Sequence, residues 1–200
     1  MLKQYGWMWV VGLLSSGAAW ADQAMLTQVG GQVSVASKDG SRAAVAFLKV
    51  ATGDKLTLGA DGRVQIVYFG NGRQEIWAGA GQIEVAGLEG RSSALKPEVK
   101  QLPPLVVNQL AKTPAAGQQG KAGMILVRSL ENPDAVDHLD KQYEELRRAS
   151  PADDTTPEVF LLSGLIELKE VARAKELLGT LRDKPAYKQV VEHFSPMVNR

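Results

Sequence analysis

The sequence predicts an α+β protein with two segregated domains, a small antiparallel β-sandwich or β-roll followed by α-helical hairpins. Residues 22–88 contain short runs in which apolar and polar side chains alternate, separated by glycine turns, a pattern typical of antiparallel sheets. From residue 134 to residue 200, apolar side chains recur at helical spacing instead. Between these two parts, residues 89–133 are rich in proline and glycine, which predicts a linker region.

Residues 1–21 follow the three-part plan of a secretory signal peptide. Lys3 precedes an apolar stretch over residues 6–19, and the small residues Ala19 and Ala21 occupy the two positions that a signal peptidase checks. The stretch is shorter than the roughly 20 apolar residues that span a bilayer, which favours cleavage over an uncleaved anchor. We expect cleavage between Ala21 and Asp22, and a periplasmic or secreted mature chain with no integral membrane segment.

The β-rich part is predicted to hold about five to seven short strands. The strongest lies at residues 63–69, whose alternate side chains form one apolar face. Asn71-Gly72 then predicts a tight hairpin into residues 73–77, because both residues tolerate the positive φ that two-residue hairpin loops need. The apolar face consists of Val64, Ile66 and Tyr68, and further alternating or apolar runs cover residues 32–35, 43–50, 55–58 and 82–85.

The C-terminal part is predicted to hold about four short helices with short connections, which favours antiparallel helix hairpins. Thr156-Pro157 is a helix start signal, with the threonine as cap and the proline in the first turn. Within the linker region, the proline pair at 103–104 predicts a short helix over residues 105–112, whereas the apolar run 124–130 fits a helix or a strand. The four predicted helices cover residues 134–148, 156–168, 171–182 and 186–194.

Part of the β-rich region resembles the FecR-type periplasmic domain. The resemblance lies in residues 31–35 (GQVSV), 53–59 (GDKLTLG) and 61–72 (DGRVQIVYFGNG), with residues 83–85 (IEV) similar to the closing strand of that family. It implies an all-β extracytoplasmic domain used for protein contact or ligand sensing, with no catalytic residues. Sensor members carry a cytoplasmic segment and a membrane span before this domain, whereas this chain has a cleavable signal.

The helical tail is similar to a degenerate tetratricopeptide repeat. Phe160 and Gly164 fall where the first helix of such a repeat packs closely on the second. Ala174 and Leu178 resemble packing positions of the second helix, and Pro185 falls near the end of the repeat. The resemblance implies that this unit needs a neighbouring helix or a partner, since a single repeat cannot bury its own apolar face.

Composition excludes several classes of function. Of the 23 Lys and Arg residues only Lys3 precedes residue 22, so the mature chain carries 22 basic and 22 acidic residues. A neutral chain without a Lys/Arg-rich run lacks the electrostatic footprint of a nucleic-acid-binding protein, so we expect no nucleic-acid partner. The sequence contains 0 cysteines, which excludes disulfides, thiolate metal sites and nucleophilic thiols.

The polar residues form no recognisable catalytic, metal or cofactor motif. His138 is expected on a solvated helix face because no second histidine lies at i+4, and His193, beside Phe194 near the C-terminus, is expected at the surface or at a helix end. No Gly-x-Ser-x-Gly elbow occurs. Asp54, Asp61 and Glu75 are each expected at a turn or on a polar strand face. We therefore predict a protein that is not an enzyme and that uses no metal or cofactor.

The candidate partner-binding residues are Tyr68, Asn71, Arg73 and Trp77, around the predicted hairpin. Exposed aromatic rings there would offer a large contact area to a protein or a glycan. The alternative, that the rings fill the small β-core, is favoured because large apolar side chains are usually buried.

The chain combines two regions that resemble modules used for protein contact, and it has no catalytic motif. We therefore predict a protein-binding scaffold or adaptor for envelope proteins. One alternative is a cell-wall glycan-binding module. The other is a FecR-type regulator of signal transduction, which requires residues 1–21 to stay attached.

Overall fold

The computed structural model describes residues 23–118 and 133–199, which form three stacked layers. Two layers are β-sheets and the third is a set of helices. The predicted signal segment and the apolar run 124–130 lie outside the described residues. The strands are β1 (Ala24–Gly30), β2 (Val33–Ser37), β3 (Gly40–Ala43), β4 (Lys49–Val50), β5 (Lys55–Leu58), β6 (Arg63–Tyr68), β7 (Arg73–Ala78), β8 (Gly81–Val85), β9 (Gly90–Arg91) and β10 (Glu98–Gln101).

Each sheet has five strands, and every recorded pairing is antiparallel. Sheet A has the order β10-β7-β6-β1-β4, and sheet B has the order β3-β2-β5-β8-β9. The two sheets share one buried apolar core, to which β6 contributes Val64, Ile66 and Tyr68. The segregated α+β class and the antiparallel sandwich are confirmed, and the predicted apolar face of β6 lies in that core.

The β6–β7 hairpin forms, but its loop covers residues 69–72 instead of the predicted two, and of the pair Asn71-Gly72 only the glycine has a positive φ. Gly72 has φ +71, and its amide donates to the carbonyl of Tyr68 at 2.9 Å. A Cβ at this position would also lie 2.9 Å from the carbonyl oxygen of Leu102, so the turn requires glycine for both its φ and its space.

Residues 43–50 depart from the expected apolar strand. Within this run only Ala43, which ends β3, and the two residues of β4 belong to strands, and between them the chain turns at Phe47, which has φ +65. This left-handed conformation is unusual for a large side chain. It directs the Phe47 ring out of the sandwich core and into the apolar core of the helices.

The helices are α1 (Pro104–Lys112), α2 (Pro133–Arg148), α3 (Thr156–Glu167), α4 (Val171–Leu181) and α5 (Lys188–Val198), with a 3₁₀ turn at Pro185–Tyr187 before α5. All four predicted C-terminal helices are present, and the last extends to Val198 with Pro196 inside it. The short helix predicted after the proline pair is α1. We call α1 to α5 together the helical layer.

The described part of the interval predicted as a linker region is structured. It supplies β9 to sheet B, β10 to sheet A and α1 to the helical layer. Pro97 and Pro103 flank β10, an edge strand whose outer side needs no ladder hydrogen bonds, and edge strands tolerate prolines nearby.

The helical layer packs on the outer face of sheet A. Met25 of β1 and Val67 of β6 point away from the sandwich and join the apolar core of the helices. Helix α3 lies in the middle of this layer, and its first ten residues are all buried. Within the described ranges, no helix is both long and apolar enough to cross a membrane.

Candidate functional site

The four candidate partner-binding residues separate into two pairs. Tyr68 and Trp77 are buried in the core between the sheets, so their rings offer no contact surface in this conformation. Asn71 is exposed at the hairpin, where its carboxamide oxygen accepts from the amide of Arg73 at 3.0 Å. Only Asn71 and the partly exposed Arg73 therefore reach the surface.

Glu75 is a buried carboxylate, contrary to the expectation of a polar strand face. Its side chain has an exposed fraction of 0% and accepts from Arg73 Nε at 2.5 Å, Trp77 Nε1 at 2.9 Å and the Gly90 amide at 3.0 Å. Burial, helped by this neighbouring carboxylate, raises the pKa of Tyr68. These contacts join β7 to β9 across the sandwich, so the group stabilises the two sheets.

The other two carboxylates do have the expected turn chemistry. Asp54 accepts from the amide of Ala51 at 2.9 Å, and Asp61 accepts from the amide of Gln32 at 3.3 Å. Both bonds hold turns of the sandwich.

The two histidines occupy different environments. His138 is exposed on α2, as expected. His193 was expected at the surface or at a helix end, but it is 4% exposed in α5 and stacks on Phe47 with the ring centroids 3.9 Å apart. Burial lowers the pKa of His193 to about 4, although a hydrogen bond with the backbone of Pro114 opposes the shift. His193 is therefore part of the contact between the sandwich and the helical layer.

Buried polar side chains join sheet A to the start of α3. The Thr156 hydroxyl accepts from Gln65 Nε2 at 2.7 Å and from Gln74 Nε2 at 3.0 Å. Asp154 accepts from Gln65 Nε2 at 3.1 Å and from the Thr156 amide at 3.0 Å. The N-cap residue of α3 is Thr155, so the predicted cap, Thr156, is the first residue of the helix; its amide donates to Asp154 and its hydroxyl accepts from sheet A.

A second buried cluster joins α2 to α3. Arg147 Nη1 donates to both carboxylate oxygens of Glu158, at 3.2 and 3.1 Å, and to the carbonyl of Asp154 at 2.8 Å. Burial, together with Glu158, raises the pKa of Tyr143 to about 12. Burial lowers the pKa of Arg147, but Glu158 outweighs that effect and the pKa is raised. Because the hydrogen-bond donors and acceptors of these groups pair with one another, the cluster stabilises the contact between α2 and α3.

The close helix packing at Gly164 differs from the packing that the resemblance to a tetratricopeptide repeat implies. The atoms nearest to a Cβ placed there belong to Leu139 of α2, at 2.5 and 2.7 Å, and not to α4. Ala174 of α4 is fully buried in the same apolar core. The glycine therefore brings α3 against the preceding helix.

An open groove of about 200 Å³ lies between α1, α2 and α3, and we call it the helix groove. Leu139 and Phe160 supply an apolar floor, and Leu105 stands at its edge with 43% of its surface exposed. Lys112 and Glu167 form an ion pair of 2.7 Å at the same groove.

The charged pair at the helix groove is partly exposed on both sides. Burial raises the pKa of Glu167, but hydrogen bonds from Lys112 and Gln109 outweigh it and hold the pKa below its ordinary value. Glu167 therefore stays ionised at neutral pH and offers an acceptor beside an apolar floor.

The sequence interpretation missed the helix groove. A signal was present in α1, where Leu105 adjoins the buried residues Val106 and Val107 and widens the apolar surface of a short helix. A helix with so wide an apolar surface is expected to meet more than one neighbour. Which helices surround it depends on tertiary contacts that no local pattern encodes.

No cluster of three or more His, Cys, Asp or Glu side chains arranged to hold a metal ion occurs in residues 23–118 and 133–199. Comparisons with protein-family models, with curated proteins and with solved structures found no match.

Proposed function

We propose that this chain is an exported, non-catalytic scaffold that binds other envelope proteins through the helix groove. The observation that carries the proposal is the groove itself. It combines an apolar floor at Leu139 and Phe160 with the exposed Leu105 and with one exposed ion pair. Apolar anchors surrounded by a polar rim are the usual anatomy of protein contacts.

The polar clusters support a role without chemistry. Gln65 and Gln74 both donate to Thr156, which joins sheet A to the helical layer, and Arg147 donates to Glu158, which joins α2 to α3, so the hydrogen bonds of these side chains hold the fold together. The signal-like residues 1–21 support export. The resemblance of residues 31–85 to an extracytoplasmic domain used for protein contact or ligand sensing agrees with the same role.

Of the two alternatives, neither is favoured by a specific contact. Glycan binding would use the ring of Trp77, which is 1% exposed. Signal regulation depends on residues 1–21 staying attached, and it stays a prediction.

The test is recovery of a partner by the full-length chain, tagged at its C-terminus, after cross-linking in the cells that produce it. We expect a reproducible envelope protein with the wild type. Leu105→Glu should lower its recovery at least fivefold, because a buried carboxylate without a partner opposes burial of the groove in a complex. The matched control is Val99→Glu, which changes another exposed apolar residue on β10, 50% exposed, and should leave recovery unchanged.

Equal recovery with Leu105→Glu and Val99→Glu would contradict binding at the helix groove. Recovery of no protein by the wild type would contradict the scaffold role itself. Mass spectrometry of the N-terminus of the purified chain tests export separately, since cleavage after Ala21 leaves Asp22 as the first residue.

A further inference from the structure

The turn at Phe47 is the point where the sandwich enters the helical layer. Its ring is 1% exposed and stacks on His193 with an interplanar angle of 17°. It also meets the ring of Phe194 edge to face, with centroids 5.6 Å apart. The carbonyl of Phe47 accepts from the amide of Ala116 at 2.9 Å. The imidazole of His193 therefore lies where three parts of the chain meet: the turn, the segment after α1, and α5.

The turn and the segment after α1 present uncharged groups to His193. The turn presents the Phe47 ring, and the segment after α1 presents backbone at Pro114. On α5 itself, Lys188 and Glu192 lie 4.0 Å apart with well exposed side chains, so they pair at the surface. On β4, Lys49 donates to the carbonyl of Ala111 at 3.2 Å.

We infer that acidification weakens the attachment of the helical layer to the sandwich, and that protonation of His193 is the trigger. An imidazolium buried against a phenyl ring at this depth loses hydration that the contact replaces poorly. Once the layers separate, the imidazole is hydrated and binds its proton freely. The inference concerns the regulation of the fold and does not depend on the partner proposed above.

The direction with pH follows from the burial of the ring. The pKa of His193 is about 4 with the layers attached and is expected near its ordinary value of 6.5 with the layers apart. Attachment is therefore at full strength above pH 6.5 and weakens as the pH falls toward 4. Between pH 7.0 and pH 5.5, the equilibrium constant for separation should rise about eightfold, while carboxylates of ordinary pKa stay ionised.

The experiment is hydrogen exchange of the full chain at pH 7.0 and pH 5.5, corrected for the intrinsic rates. The reporters are two amides at the contact, those of Ala116 and of Val29, which donates to Gln189 Oε1 at 3.2 Å. The reference is β8 in sheet B. We expect the opening constant of the reporters to rise about eightfold at pH 5.5 while that of β8 stays constant.

The two histidines provide a matched pair of variants. His193→Gln should abolish the pH response of the reporters, and His138→Gln, at an exposed position, should keep it. An unchanged response in His193→Gln would overturn the inference, as would an equal loss of protection in β8, which indicates global unfolding. If His193→Gln does not fold, nuclear magnetic resonance titration of wild-type His193 decides, because a pKa near 6.5 in the attached state would overturn the inference.

Discussion

Sheet A contacts the rest of the molecule through two very different faces. Its inner face meets sheet B through aliphatic and aromatic side chains such as Ile66, Tyr68 and Trp77. Its outer face meets the helical layer through Met25 and Val67, but also through the buried amides of Gln65 and Gln74. The inner contact is therefore mainly apolar, whereas the outer contact is mixed.

The two faces therefore have different roles: the inner face contributes mainly to the stability of the sandwich, and the outer face to the position of the helical layer. Apolar burial is strong but has little directional preference, so the inner face holds the two sheets together mainly by packing, and the bond from the Gly90 amide to Glu75 adds one polar contact between them. Buried hydrogen bonds contribute less net free energy but require particular partners and angles. We interpret the outer face as the contact that fixes where α3, and with it the helix groove, lies on the sandwich.

The largest effect is expected at the inner face, from Trp77→Ala. The substitution removes a fully buried ring and leaves Glu75 without one of its three donors. The free energy of unfolding should fall by about 4 kcal/mol. Urea denaturation followed by circular dichroism measures it. A fall below about 1 kcal/mol would contradict a tightly packed inner core.

The next effect is expected where the turn enters the helical layer. Phe47→Ala should lower the free energy of unfolding by about 3 kcal/mol, because the ring is almost fully buried. Phe47→Gly should cost about 1 kcal/mol less than Phe47→Ala, since glycine accepts φ +65 without strain.

Urea denaturation of these two variants separates the contribution of the Phe47 ring to the free energy of unfolding from that of the backbone conformation. A glycine variant less stable than the alanine variant would contradict the left-handed conformation of this turn.

A smaller effect is expected at the polar outer contact. Thr156→Val keeps the shape of the side chain but removes the acceptor for Gln65 and Gln74, which should cost about 2 kcal/mol. The control is Thr180→Val on α4, where an exposed hydroxyl donates to the carbonyl of Leu177, with an expected change within about 0.5 kcal/mol. Similar changes in thermal stability for both variants would contradict a special role for Thr156.

Local patterns predicted the parts of this fold that local physics determines. Alternation identified the inner face of β6, Gly72 identified the hairpin, and Thr156-Pro157 identified the start of α3. In each case the decisive atoms lie within a few residues of one another.

Long-range contacts explain what the sequence did not reveal. Gln65 resembles an ordinary solvent-facing residue of an alternating strand, and its partner Thr156 lies 91 positions away. Glu75 and His193 are buried for the same reason, by β9 and by the turn at Phe47. The helix groove likewise depends on how three helices meet, so only the apolar surface of α1 gave a sign of it.

If buried polar contacts fix the helical layer on sheet A, Thr156 and Gln74 should be energetically coupled. A double-mutant cycle of Thr156→Val and Gln74→Leu measures this coupling, with the free energy of unfolding determined for each chain. Their hydrogen bond of 3.0 Å predicts a coupling of about 1 kcal/mol, whereas Thr156→Val paired with Thr57→Val, at an exposed position of sheet B, should be additive. A coupling of zero between Thr156 and Gln74 would contradict this role of the buried polar contacts.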